Sequence, residues 1–321
     1  MSRITRRATL AAALTLPVAA RAQTFNRPIR IIVPFGTGGV ADLTARAVAQ
    51  NIQPILGQPV VVENRPGAGG IVAAQALMQA PADGHTLMVA SNGTAISASL
   101  FRNMPLDPPK DLAPIVIMGA FPIAIVVKPD SPIKDVADLV ARMKAEPGKL
   151  NIGTITRGST QNLSAELFKI RTGTQAETVV FPQTPQLVTA LLRGDVDAAF
   201  EITGPIFGQI QSGAIRVLGV TSAERAANLP NVPTLQQQGV PDYDVSSWNA
   251  LVARAGTPAE AITAINRAVN EALVKPELRN ALTAVGVEPR GGTPAQMGAL
   301  LAADTARWAE VIQKAGIAQQ G

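Results

Sequence analysis

What most restricts the folding options of this chain is a pattern that occurs more than once: a β-branched run, then glycines, then at once a stripe with helical spacing. Arg30-Ile31-Ile32-Val33 leads through Pro34-Phe35 into Gly36-Thr37-Gly38-Gly39 and on to Val40-Ala41-Asp42. The run suits a buried strand, and the glycines allow a tight turn with positive φ. Apolar residues at 43, 47, 48, 52 and 55 then mark one side of a helix that Gly57 closes. The first amides of a helix have no partner inside it, so a strand-to-helix turn built of glycine presents N–H groups to whatever approaches, an anion above all. The arrangement returns at Asn151-Ile152-Gly153-Thr154-Ile155-Thr156-Arg157-Gly158-Ser159-Thr160, where Ser159 is placed to cap the next helix.

Between and beyond these stretches the alternation is regular. Strands are predicted at 59–63, 86–90, 150–154, 177–181, 196–200 and 215–220, and helices at 71–79, 136–145, 160–172 and 185–193. Such spacing gives βαβ units and mostly parallel sheets. Ser91-Asn92-Gly93-Thr94 follows the strand at 86–90 and puts small hydroxyl and amide groups at a carboxyl end of the sheet, where doubly wound folds hold their ligands. Two apolar runs, 113–118 and 123–127, are separated by Gly119-Ala120-Phe121-Pro122, which is expected to be a first crossing between two lobes; the strand at 215–220 leads back. Lobe one is therefore expected to comprise 23–122 and 222–321, and lobe two 123–221. Thr257-Pro258-Ala259-Glu260 and Thr293-Pro294-Ala295-Gln296 read as capping boxes that open two long helices.

The first residues stand apart. Residues 1–7 hold Arg3, Arg6 and Arg7 without an acid, residues 8–20 are almost wholly apolar, and Ala20-Arg21-Ala22 supplies a small-residue cleavage site. This is the pattern of an export signal cleaved near Ala22, which implies a periplasmic product. The apolar run, about 13 residues, is shorter than the roughly 20 needed to span a bilayer, so no membrane insertion is expected after cleavage. Arg6-Arg7 leaves both the general and the twin-arginine export routes open. The chain has 28 basic against 23 acidic residues, but four arginines precede the cleavage point, which leaves 24 against 23. A nearly neutral mature chain without a basic tract offers nothing to nucleic acid. Zero cysteines exclude disulfides and thiolate chemistry.

Catalytic readings compete with binding at this stage. Gly36-Thr37-Gly38-Gly39-Val40-Ala41 fits G-x-G-x-x-A, and Glu63 ends the next strand, the outline of an NAD-type oxidoreductase site. A serine hydrolase needs a base beside its nucleophile. His85 is the only histidine, it sits in the turn Asp83-Gly84-His85 entering a strand, and no G-x-S-x-G is present. The same shortage of ligands argues against a transition-metal site, and no cofactor is expected.

The chain resembles extracytoplasmic solute receptors of the tripartite tricarboxylate transporter type, the Bug family. The matching pieces stand in family order: Pro28-Ile29-Arg30-Ile31-Ile32-Val33-Pro34-Phe35 with Gly38-Gly39 and Asp42, Val62-Glu63-Asn64-Arg65-Pro66-Gly67-Ala68-Gly69-Gly70, Ala82-Asp83-Gly84-His85-Thr86-Leu87, Pro147-Gly148-Lys149-Leu150-Asn151-Ile152-Gly153, Ser247-Trp248-Asn249 and Ala255-Gly256-Thr257-Pro258. The resemblance implies an α/β, two-lobed periplasmic-binding-protein fold of type II-like architecture, each lobe a doubly wound, mostly parallel sheet with flanking helices and the ligand cleft between them. It also implies a non-enzymatic receptor, expected as a monomer, that captures a small organic di- or tricarboxylate or related anion for integral-membrane transporter subunits; a sensor would use the same fold. By position, Phe35, Gly36, Thr37, Gly38 and Gly39 with Asp42 match the contact of lobe one, and Thr154, Thr156, Gly158, Ser159 and Thr160 that of lobe two, with Ser91 at the sheet edge between. The chain departs from the family at Gly36-Thr37, where two prolines are common, at Asn162, where a histidine is common, and at Phe181-Pro182-Gln183, where a tyrosine and lysine often follow the strand. Arg157 is also unusual at its place, meeting either water or a second carboxylate.

Overall fold

The computed structural model describes residues 25–320, so the leader expected at 1–22 and its cleavage site lie outside the described residues. The first part of the chain runs β1 (Ile29–Val33), α1 (Val40–Leu56), β2 (Val60–Asn64), α2 (Ile71–Gln79), β3 (Thr86–Ser91), α3 (Asn92–Leu100), α4 (Pro108–Asp111) and β4 (Leu112–Val127). It continues as α5 (Val136–Ala145), β5 (Asn151–Ile155), α6 (Thr160–Thr172), β6 (Glu177–Phe181), α7 (Thr184–Arg193), β7 (Ala198–Ile202), α8 (Phe207–Gln211) and β8 (Arg216–Val220). The last part is β9 (Ser246–Arg254), α9 (Ala259–Leu273), α10 (Pro276–Ala284), β10 (Glu288–Gly291) and α11 (Pro294–Lys314).

The strands hydrogen-bond in the order β2-β1-β3-β9-β4-β7-β5-β6, with β8 and β10 also paired to β4. The outer triplets, β2-β1-β3 and β6-β5-β7, are parallel, the product of βαβ crossovers. Everything that meets β4 is antiparallel, as is the β3–β9 pair. β4 is thus the shared spine: Leu112 to Pro122 pair with β9, and Ile123 to Val126 pair with β7.

No turn separates the two apolar runs at residues 119–122: β4 passes straight through them, and its partner changes from β9 to β7 after Pro122. Gly119 is there because β10 packs close: a Cβ on it would lie 2.3 Å from Val287 Cγ1. A glycine in a strand can mark such an approach as readily as a turn. The return from β8 is anchored at the same level by Thr221, fully buried, whose hydroxyl donates to Val245 O at 2.6 Å and whose backbone N–H donates to Ile123 O at 2.9 Å.

Helices cover both faces. α1, α9 and α10 pack on one face of the first part over Ile29, Ile31 and Val33, while α2, α3 and α11 cover the other over Ile32, Met88 and Trp248. This second cluster runs on beneath α5 and α6 without interruption. One of the two expected capping boxes forms: Thr293 Oγ1 accepts from Gln296 N, and Gln296 Oε1 accepts from Thr293 N. The other does not. α9 begins at Ala259, which puts Pro258 at the cap, and the Thr257 hydroxyl donates backwards to Arg254 O instead. Neither β9 nor β10 is visible as a strand in the alternation, because β9 is buried along most of its length and β10 has only four residues. No helix among the described residues is long and apolar enough to cross a membrane.

Candidate functional site

The two glycine turns adopt the same local design. In the first, Gly38 has φ 85°, Gly39 is the N-cap of α1, and the Gly38 amide donates to Asp42 Oδ2 at 2.9 Å. In the second, Gly158 has φ 78°, Ser159 is the N-cap of α6, and the Gly158 amide donates to Asn162 Oδ1 at 2.9 Å. Each turn needs a left-handed residue one step before its cap, the conformation glycine reaches without a Cβ penalty. In each, a side chain of the first helical turn reaches back to hold that glycine's N–H.

The internal bonds decide which groups remain for a ligand. Gly39, Val40 and Ala41 in the first turn, and Thr160 and Gln161 in the second, have amides with no protein acceptor among the described residues. The hydroxyls expected to help are partly committed. Ser159 Oγ accepts from Asn162 N and donates to Ile155 O, and Ser91 Oγ accepts from Gly93 N as the cap of α3. Thr154 is fully buried and accepts from Asn162 Nδ2 at 3.3 Å. Phe35, Gly36, Thr37, Gly38 and Gly39 are exposed, and a Cβ on Gly38 would point into open space. Thr156 is exposed in a strained backbone conformation, φ 28°, with its hydroxyl 3.4 Å from Pro182 O; Thr160 is buried and Arg157 exposed.

Asp42 lies beneath the first turn. Only 1% exposed, it accepts from Gly38 N, from Arg46 Nε at 2.9 Å and from Asn64 Nδ2 at 2.9 Å, and Asn64 also holds Phe35 O. Burial pushes its carboxyl up, but the bonds from Arg46, Gly38 and Asn64 and the Arg46 charge outweigh that and hold it below the usual range.

α3 relates the turns in space. A Cβ on Gly93, at its start, would lie 3.9 Å from Phe35 Cζ, and one on Gly158 would collide with Leu100 Cδ2, at its end, at 2.4 Å. Seven residues of helix separate those contacts, about 10 Å at 1.5 Å per residue, so the two turns flank opposite ends of one short helix.

Two buried acids that sequence reasoning missed stand behind this arrangement. Glu201 in β7 accepts from Gln161 Nε2 at 2.7 Å and from Thr184 Oγ1 at 2.9 Å, and so ties the first turn of α6 to that of α7. Burial drives its carboxyl above the ordinary value, against the pull of the donors from Gln161, Ile202 and Thr184. Asp304 in α11 accepts from Asn92 Nδ2 and Trp248 Nε1 and fixes the start of α3; burial pushes it up as well. The available signal was a lone acid in an otherwise apolar setting: Phe200-Glu201-Ile202 in a strand, and Asp304 on the face that carries Leu301 and Trp308.

Among the described residues, no group of three or more His, Cys, Asp or Glu side chains could hold a metal ion. The arrangement is chemically suited to receiving negative charge at paired helix N-termini and contains no nucleophile–base pair around the turns.

The profile of the family described as "Tripartite tricarboxylate transporter family receptor" matches residues 44–317. The chain is 36% identical over 292 residues to Protein BugT of Bordetella pertussis, covering 90% of each chain. It is similar to a solved structure of an R. palustris protein with adipate, at 34% identity and TM-score 0.76, covering 92% of this chain and 99% of that one. It is also similar to MatC of Rhodopseudomonas palustris with bound malate, at 29% identity and TM-score 0.73, covering 89% and 99%.

Proposed function

The chain belongs to the tripartite tricarboxylate transporter receptor family, and from that premise we propose that it captures a small organic carboxylate between the turns at residues 35–39 and 154–160. The observation that carries this reading is the pair of matched turns, whose unpaired amides open α1 and α6 and flank the two ends of α3. A carboxylate there meets two helix N-termini at once, which favours charge without a buried arginine. Adipate and malate, bound by two similar proteins, set the size range.

In this reading, residues 23–122 with 222–321 and residues 123–221 act as two lobes that close by bending near Pro122 and Thr221. Ligand contacts that exist only when both turns touch the anion shift the population to the closed form. A membrane transporter of the tripartite type then reads that form. The leader at 1–22 directs export, so binding takes place in the periplasm, and the receptor acts as a monomer.

Family membership sets the chain among receptors, and the first turn gives a physical reason to set the dinucleotide reading aside. The Gly38 amide that would approach a pyrophosphate is already held by the chain's own carboxylate, Asp42. A thermal-shift screen with adipate, malate and citrate, each beside its amide, tests the proposal. At about 100 times its dissociation constant a ligand stabilises the native state by roughly 2.7 kcal/mol, a visible rise in Tm. A carboxylate should produce that rise and its amide should not; a rise with NAD and none with carboxylates would reverse the assignment.

A further inference from the structure

Beside the C-terminal end of α2, four side chains that touch neither glycine turn come together: Glu63 and Arg65 from one motif, Asp83 and His85 from another. A cavity of about 540 Å³ opens there, lined among others by Arg27, Arg30, Arg65, Gln79 and His85. No residue of either glycine turn lines it. Three guanidiniums face two carboxylates: Arg27 pairs with Asp83, while Arg30 and Arg65 share Glu63, at 3.3 and 2.7 Å. One positive charge is left over. Each guanidinium has five N–H donors, so these pairings leave most of them available.

His85 supplies the second observation. Its side chain is 8% exposed and packs edge-on against Phe25 at 5.3 Å between centroids. Neither ring nitrogen makes a hydrogen bond among the described residues, Nδ1 standing 3.3 Å from Asp83 Oδ1 outside bonding geometry. A buried imidazole at the wall of a cationic cavity calls for an acceptor on its N–H.

We propose that this cavity is an anion site separate from the cleft, taking a compact oxyanion on the guanidiniums of Arg30 and Arg65 and the ring of His85. Planar or tetrahedral oxygens fit the guanidinium fork, so a free phosphate ion and the carboxylate of an acidic segment share the chemistry.

His85 is the only histidine in the chain, so its ring ¹H–¹³C signals form an unambiguous reporter. The intact receptor is titrated with inorganic phosphate, and separately with a glutamate-rich peptide, at ionic strength held constant with chloride. The ring signals should move saturably. Saturation by peptide at much lower concentration than phosphate identifies an acidic segment as the source, and the reverse identifies the free ion. The double variant Arg30→Gln, Arg65→Gln should weaken the response at least ~10-fold, the loss expected for charge-assisted bonds. If that variant fails to fold, Arg27→Gln, on a half-exposed side chain, should weaken it in the same direction. Ring signals that follow only ionic strength, or that saturate unchanged in the variants, would overturn the proposal.

Discussion

Asn162 stands in the second turn where Asp42 stands in the first, each accepting the amide of a left-handed glycine four residues earlier at 2.9 Å. The two differ in charge and in company. Asp42 takes two further donors, Arg46 and Asn64, whereas Asn162 spends its own amide on Thr154.

Asp42→Ala should therefore destabilise the fold by about 2–4 kcal/mol, because Gly38 N, Asn64 and the Arg46 guanidinium lose a buried charged acceptor together. Asn162→Ala should cost about 1–2 kcal/mol, the loss of two neutral bonds. Urea unfolding midpoints at constant slope measure both. The folded-state carboxyl of Asp42 lies below its ordinary value, so its contribution is complete above the unfolded-state value and is lost as pH falls through the folded one. The gap between wild type and Asp42→Ala should accordingly narrow in acid.

Glu201 predicts the opposite trend. Its carboxyl is pushed up by burial, so the charged form burdens the native state increasingly as pH rises from the ordinary glutamate range through the folded-state value. Glu201→Gln keeps an acceptor for Gln161 and Ile202 and can donate to Thr184. The difference in Tm between Glu201→Gln and wild type should thus shift in favour of the variant from pH 4 to pH 8. A difference that is flat with pH would show that Glu201 is not carrying a disfavoured charge.

The two turn glycines should respond differently to the same substitution. Gly38→Ala meets open space and bears only the left-handed backbone cost, about 1 kcal/mol. Gly158→Ala bears that cost and must also displace Leu100, so it should lose clearly more stability and loosen the second turn from α3. Calorimetric melts of the ligand-free variants separate the two.

Ser159→Ala should act on stability more than on recognition. Its hydroxyl caps α6 and is already donated to Ile155 O, so removal should cost about 1 kcal/mol in folding free energy. A tenfold loss of affinity with no change in melt would place that hydroxyl on the ligand instead.

The fold was legible wherever local pattern and burial agreed. The helices at 71–79, 136–145 and 160–172 fall where the sequence puts them, because the apolar stripe and the cap, Gly70 before the first, Asp135 before the second and Gly173 after the third, are local signals. β9 was not legible, since seven of its nine residues are buried and alternation vanishes in a strand covered on both faces. The role of Gly119 was not legible for a related reason: a glycine reports an absent Cβ, and only the neighbour, here Val287, says whether that serves a turn or a close contact. Within the site, the left-handed glycines and their caps could be read from sequence. The direction of Asp42, beneath the turn and away from its exposed rim, could not, because it depends not only on Arg46 one turn along α1 but on Asn64 arriving from β2.

The central claim is that one carboxylate is held by both turns at once, and the most direct measurement is an amide ¹H–¹⁵N titration with whichever carboxylate gives the largest thermal shift. The signals of Gly39, Val40 and Ala41 and those of Thr160 and Gln161 should move together and fit a single dissociation constant. Movement of only one set, or saturable binding that leaves both sets in place, would contradict a shared site.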